Sequence, residues 1–156
     1  MQKKRVDFFV IGALAGIFSS IIRYILGYII ILFLPDYLNC VRIAASIILD
    51  PVQVMAGGFG VTAIGLQIDI VVSVVVSLVA LLILEHSGHN FFLFKGAVIG
   101  ATTWSLFYVV LSRILSQLYP ANSILAAELS FLVHVIYGMV LTWSIVRLKK
   151  VFAANP

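Results

Sequence analysis

Long runs of apolar residues alternate with short polar stretches along the whole chain. Each run is long enough to cross a bilayer, which takes about 20 residues of helix. Turn-forming residues such as Pro35-Asp36 and the polar segment 85–90 separate the runs. The predicted fold class is therefore all-α and membrane-integral, a bundle of four transmembrane helices over about residues 7–34, 56–84, 91–118 and 123–146.

The stretch 37–50 differs from the spans because it is shorter and apolar on one side only. At helical spacing the apolar face carries Val41, Ala44, Ala45 and Ile48, and the opposite face carries mostly Asn39, Arg42, Ser46 and Asp50. This pattern predicts a short amphipathic helix lying in the outer interface and ended by Asp50-Pro51.

The second span opens with the glycine-rich segment 56–60, and its apolar run exceeds what a straight crossing needs. One interpretation is a tilted helix. The other is a broken, partly re-entrant start that is buried against protein. Both interpretations are kept.

Composition favours the bilayer as the solvent of this chain. The 156 residues are 63% hydrophobic and 10% charged, with a mean hydropathy of +1.18. A soluble domain of this size cannot bury so much apolar side chain. A single membrane domain spanning residues 1–156 is predicted, with lipid as its main surrounding.

The net charge of +4 comes largely from basic residues near the two ends. By the positive-inside rule, both termini are predicted to be cytoplasmic in a plasma membrane. No basic stripe lies on a polar surface, so no nucleic-acid partner is expected. The lone Cys40 excludes an internal disulfide, and no metal or cofactor is expected. Glu85, His86 and His89 are interpreted as a solvated turn.

Asp69 stands out because it interrupts an aliphatic run, where a carboxylate costs about 2.5–3.5 kcal/mol. Arg23, inside the first run, would lie at a similar depth on a neighbouring antiparallel helix. One interpretation is an ion pair that fixes the register of two spans. The other is a counter-ion switch, in which a proton or cation on Asp69 releases Arg23.

Two further polar positions are candidates. His134 lies near the middle of the last span, either as a neutral imidazole bridging helices or as a proton relay paired with Asp69. Arg113 and Glu128 face each other across the outer turn and predict an interfacial salt bridge.

Small residues mark the surfaces at which helices are expected to approach closely, at Gly12, Gly16, Gly96, Gly100 and Gly138. The segment from Gly12 to Gly16, followed by Tyr24, matches the segment from Gly96 to Gly100, followed by Tyr108, at one constant offset. Laying Asp69 and Ser73 over His134 and Gly138 extends the match. We therefore expect an internal repeat of two helical hairpins of the same orientation.

Several of these motifs together resemble a family of small bacterial four-helix membrane proteins. They are the Gly12-x-x-x-Gly16 step with a basic residue seven positions later, Asp69, Lys95-Gly96 to Trp104 and Tyr108, and the segment His134 to Gly138. The family is functionally uncharacterised, so the resemblance implies an architecture and no substrate, cofactor or catalytic residue. The chain departs from the family at 72–76, where a glycine-rich middle is expected.

The favoured functional interpretation is a bundle that moves a proton, ion or small solute along the polar axis Arg23, Asp69 and His134. The alternative is a non-transporting accessory or assembly subunit whose small-residue faces bind other spans. An enzyme is the least favoured class. Four helices enclose little interior, so a homo-oligomer or a complex with other membrane proteins is expected.

Overall fold

A computed structural model describes residues 7–34, 37, 40–110 and 124–154, and for residues 108–110 and 154 the backbone alone. The described part is helical throughout and contains no strand. Its helices are α1 (Phe8–Phe33), α2 (Cys40–Ala45), α3 (Pro51–Ala56), α4 (Phe59–Ser87), α5 (Phe92–Trp104) and α6 (Ile124–Ala154). A π-helix, Ser105–Val110, continues α5.

Three of these helices, α1, α4 and α6, are long and apolar enough to cross a membrane, whereas α5 with the first residues of the π-helix forms a shorter apolar helix. The chain is thus a helical protein with three candidate spans in its described part. The predicted third span, 91–118, begins one residue later in the structure, and its last part lies outside the described residues. The fourth span was predicted over 123–146, and α6 continues beyond it to Ala154.

The first long helix begins where its backbone donors find a partner. Asp7 is the N-cap residue, and its carboxylate accepts hydrogen bonds from the backbone N–H groups of Phe9 (2.9 Å) and Val10 (3.3 Å). This side chain replaces the missing carbonyl partners of the first turn. The start of α1 is therefore determined by Asp7, which comes just after the basic N-terminal segment.

The predicted single helix over 37–50 is wrong in extent, because the structure has two short helices there, α2 and α3. Asp50-Pro51 starts the second of them instead of ending the first. Pro51 occupies the first turn. The side chain of Asp50 accepts a hydrogen bond from the backbone N–H of Gln53, and the Oε1 of Gln53 accepts one from the backbone N–H of Asp50. This is a capping box, and proline suits the first helical position because its missing N–H needs no partner there.

The faces predicted for 37–50 are also only partly right. Val41, Ala44 and Ala45 are buried, but Ile48 is 69% exposed. Ser46, assigned to the polar face, is buried and donates its hydroxyl to the carbonyl of Ile43 at 2.6 Å. The helix tightens into a turn after Ala45, so the residues beyond it leave the helical periodicity.

The glycine-rich segment 56–60 contains the break between α3 and α4. Gly57 and Gly58 have φ values of 70° and 96°, which glycine adopts without strain. From Phe59 onward α4 is one continuous helix to Ser87. The predicted second span is therefore broken at its glycine-rich start, but this start is largely exposed and not buried against protein. The tilt of the helix stays a prediction.

Helix α1 runs antiparallel to α4 and α6 and lies against both, so α4 and α6 run in the same direction. Helix α5 packs antiparallel on α6, and α2 packs on α4. One end of the helices carries the start of α1, the turn between α4 and α5, and the end of α6, and we call it the terminal end. The opposite end carries the end of α1 and the starts of α4 and α6, and we call it the α2–α3 end. There α2 and α3 pack on the start of α4 through Ala45, Val54 and Val61.

Glycine brings α1 onto α4 and α5 onto α6. A Cβ at Gly16 would lie 2.8 Å from the backbone oxygen of Ser73, and one at Gly100 would overlap the backbone oxygen of His134. Gly96 and Gly138 face each other backbone to backbone. The five predicted packing glycines all lie at such contacts, with Gly12 against the side chain of Leu78.

The two hairpins use glycine in the same way at their contacts. Gly16 lies on Ser73, and the corresponding residues of the other hairpin, Gly100 and Gly138, are in contact as well. The internal repeat stays a prediction.

Candidate functional site

Three polar side chains lie at the same depth inside the helices. Arg23 is ten residues before the last residue of α1, and Asp69 and His134 are each ten residues after the first residue of their helices. At 1.5 Å per residue, each lies about 15 Å from the α2–α3 end. For a helix that crosses a hydrocarbon core of about 30 Å, that position is close to the middle.

The structure brings Arg23 and Asp69 together in a buried ion pair. The Nη2 of Arg23 contacts the Oδ2 of Asp69, and the two side chains are only 4% and 8% exposed. The same guanidinium nitrogen donates to Ser73 Oγ at 3.1 Å. The hydroxyl of Tyr24 donates to Asp69 Oδ2 at 2.5 Å. The carboxylate thus has two donors, which offsets the cost of burying its charge.

Aromatic rings surround the guanidinium. Its central carbon lies 4.5 Å from the ring centroid of Tyr137 and 5.9 Å from that of Tyr24. Both distances fall within the range of cation–π attraction. The Nε of Arg23 is buried and has no hydrogen-bond partner among the described residues, so one strong donor of this group is unused.

His134 is held in one tautomer by its neighbours. Its Nδ1 lies 2.8 Å from the carbonyl oxygen of Ser130, one turn earlier on α6, and this contact requires Nδ1 to carry the hydrogen. Nε2 is then the acceptor, and it faces the Sγ of Cys40 at 3.7 Å. Burial raises the pKa of the Cys40 thiol to about 11, so the thiol is protonated at neutral pH and donates its hydrogen to His134.

A small cavity joins these groups. About 40 Å³ of space lies between Arg23, Asp69, His134, Cys40 and Thr103, enough for one to three water molecules. The hydroxyl of Thr103 donates to the carbonyl of Ile99 at 2.8 Å, so its oxygen presents lone pairs. Asp69 and His134 present acceptors as well. We call this space the inner cavity.

A larger cavity of about 300 Å³ lies toward the α2–α3 end. Arg23, Tyr24, Tyr28, Arg42 and Thr62 contribute polar groups to its wall. We call this space the vestibule. Arg23 lines both the vestibule and the inner cavity, whereas Asp69 and His134 line the inner cavity.

Toward the terminal end the interior is filled by side chains. Ala80, Leu81, Leu84, Leu141 and Ile145 are completely buried and pack together as one apolar core. The vestibule therefore lies on the α2–α3 side of Arg23, and the apolar core lies on its terminal side, where a groove of about 310 Å³ between α1 and α6 is lined by Leu14, Phe18, Trp143 and Arg147.

The other predicted positions lie apart from this site. Arg113 is outside the described residues, and Glu128 is exposed on α6. Within the described ranges no group of three side chains is arranged to hold a metal ion. Glu85 instead forms an ion pair with Lys149, whose Nζ also lies 3.3 Å from His89 Nε2.

Sequence reasoning missed Cys40 and Ser130 as members of the site and gave Tyr24 and Tyr137 no role in it. Tyr137 lies three residues after His134 and so shares its helix face, which is a usable signal. Tyr24 adjoins Arg23 in sequence. No such signal marks Cys40, because it lies on α2, a separate short helix that packs on α4.

Comparison of the chain with protein-family models, with curated proteins and with solved structures found no match.

Proposed function

We propose that this protein is a small integral membrane protein that moves a proton, an ion or a small solute along the axis Arg23, Asp69 and His134. The proposal includes four spans with both termini in the cytoplasm of a bacterium, and assembly as a homo-oligomer or with other membrane proteins. The resemblance to small bacterial four-helix membrane proteins is part of the same proposal.

The observation that carries the proposal is a charged pair at mid-depth that cavities reach from one end. An ion pair that only fixes helix register needs tight packing around it, and a cavity next to it is a cost. Here the inner cavity adjoins both Asp69 and His134, and the vestibule adjoins Arg23. Intramembrane ionisable groups next to cavities often mark ion and proton paths.

The proposed mechanism is a counter-ion switch. In the resting state Asp69 is ionised and holds Arg23 and the hydroxyl of Tyr24. A proton delivered through the inner cavity neutralises Asp69 and weakens its hold on Arg23. His134 also lines this cavity, and its Nε2, which accepts from the Cys40 thiol, can take or return the proton in place of the thiol hydrogen.

Proton flux in liposomes tests this proposal. The wild-type protein, reconstituted with an interior pH dye, is expected to dissipate an imposed pH gradient faster than empty liposomes. Asp69→Asn is expected to abolish that difference, because an amide cannot carry the proton. Glu85→Gln is the matched control, since Glu85 is a carboxylate paired with a lysine outside the site, and normal flux is expected.

Inserted and helical Asp69→Asn protein with ordinary flux would contradict the proposal, as would wild-type protein that leaves the gradient unchanged. Either result favours the accessory-subunit alternative. That alternative predicts a stable heteromeric complex in mild-detergent purification.

A further inference from the structure

The vestibule has a wall suited to an anion. It is lined by two guanidinium groups, those of Arg23 and Arg42, and by the hydroxyls of Tyr24, Tyr28 and Thr62. Among its described lining residues there is no carboxylate. Guanidinium groups recognise planar oxyanions through paired hydrogen bonds.

Arg23 separates the two cavities. Asp69 approaches it from the inner cavity, and the vestibule approaches it from the α2–α3 end. The buried Nε of Arg23 has no partner in the described structure. The cation therefore has one committed carboxylate and one unused donor, with a cavity on each side.

We propose that the vestibule binds a small monocarboxylate, which takes over Arg23 when Asp69 accepts a proton. This inference rests on the proposed function, because it uses the same switch, and it names the solute that the switch would carry. The protein would then bind one proton and one carboxylate together.

A carboxylate suits the vestibule because it presents to Arg23 the same chemical group as Asp69, which it would replace. Asp69 accepts from Arg23 Nη2 and from the Tyr24 hydroxyl on a single oxygen. A carboxylate entering from the vestibule presents the same acceptor geometry to the same cation. The remaining wall is partly apolar, with Val41, Leu66 and the ring of Tyr28, and suits a tail of a few carbon atoms.

Competition for Arg23 couples the two ligands. With Asp69 ionised, its carboxylate occupies Arg23 and repels a second anion there, although Arg42 in the vestibule wall adds a positive charge. With Asp69 protonated, that repulsion is gone and Arg23 is released to the anion. The other titratable groups around Asp69 are Tyr24 on α1, Cys40 on α2, and His134 and Tyr137 on α6.

Butyrate binding to the full chain in detergent micelles, measured by titration calorimetry, tests the inference. Between about pH 8 and about pH 6 butyrate stays ionised, so a change in affinity reports on the protein. One proton taken up per anion predicts up to about tenfold tighter binding per pH unit, or about 100-fold over this range. Butyramide, which has the same shape without charge, is expected not to bind.

Asp69→Asn gives the sharper result. An asparagine carries no charge to compete for Arg23, so this variant is expected to bind butyrate at about pH 8 at least as tightly as the wild type does at about pH 6, without pH dependence. A purely structural role for Asp69 predicts weaker binding instead. Arg42→Gln is expected to weaken binding about tenfold, and Arg147→Gln, at the terminal end, is the matched control with unchanged affinity.

Binding that is absent, or independent of pH in the wild type, would overturn the inference. So would weaker binding by Asp69→Asn protein that remains helical and monodisperse, or inorganic phosphate binding as well as butyrate does. The failure of the proposed function is distinguishable. If butyrate binds with the expected pH dependence but proton flux, measured with butyrate present, does not exceed that of empty liposomes, the binding site is supported and transport is contradicted. If protons flow but butyrate does not bind, this inference alone is contradicted.

Discussion

At the scale of the residue, the ion pair of Arg23 and Asp69 is the most consequential contact. Asp69 accepts from two donors, and Arg23 lies against Tyr137 and donates to Ser73. Such a pair adds specificity more than net stability, because both charges have been removed from water. Removing one partner is far more harmful than removing both.

Leucine substitutions distinguish the loss of one charge from the loss of the whole ion pair. Arg23→Leu and Asp69→Leu are each expected to lower the free energy of unfolding by about 3–5 kcal/mol, since each leaves a buried charge alone. The double variant is expected to lose less than either single variant. Denaturation in mixed micelles, followed by circular dichroism, measures the three values, and a double variant that loses the sum of both would contradict the pairing.

The pair could be predicted from the sequence because a charge within an aliphatic run is rare and needs a partner. Its supporting groups could not. Tyrosine and serine are ordinary residues in apolar helices. The spacing of Tyr137 from His134 puts both on one helix face, but the same spacing is typical of packing residues. Cys40 joins the site only because α2 folds back over α4, which no local pattern encodes.

At the scale of the element, backbone approach determines which helices are neighbours. Gly138 on α6 faces Gly96 and Gly100 on α5, and a Cβ there would lie 2.6 Å from the backbone nitrogen of Gly100. A backbone cannot swing aside as a side chain can. Any larger residue must separate the two helices.

Gly138→Ala is therefore expected to destabilise the protein by about 1–3 kcal/mol through overpacking. Gly60→Ala is the matched control, because its Cβ would meet no atom within 4 Å and its backbone is helical. Alanine is there expected to be neutral or stabilising by up to about 1 kcal/mol. Thermal melts of both variants in detergent measure the difference, and equal melting temperatures would show that close packing at Gly138 is unimportant.

The hydrophobic runs predicted where the long helices lie, but they did not predict where the short helices between residues 37 and 58 begin and end. Apolar periodicity placed Val41, Ala44 and Ala45 on a buried face, while the signals at Asp50-Pro51 were taken as a stop instead of a start. The same dipeptide serves both purposes, and the glutamine at position 53 that completes the capping box decides between them. The similar depth of Arg23, Asp69 and His134 could be predicted from the sequence, because it depends only on the lengths of the helices.

At the scale of the whole molecule, the two ends differ. Cavities lead from the α2–α3 end to the charged pair, and a fully buried apolar core closes the terminal end. Cavities were beyond sequence reasoning, since they depend on how α2 is seated on α4. This asymmetry is what a site that takes up a ligand from one side of a membrane requires.

Cys40 reports on that asymmetry because it lines both cavities and is the sole cysteine of the chain. The most direct measurement is its modification by the small, membrane-impermeant sulfonatoethyl methanethiosulfonate, compared in intact cells and inverted vesicles. A Cys40→Ser/Leu81→Cys variant is the control, since Leu81 lies in the closed apolar core. Because burial raises the pKa of the Cys40 thiol to about 11, the rate is expected to rise about tenfold per pH unit. The account predicts that Cys40 is modified in intact cells only and that the cysteine at position 81 is modified in neither preparation. Equal modification of Cys40 from both sides, or none from either side until the protein is denatured, would contradict it.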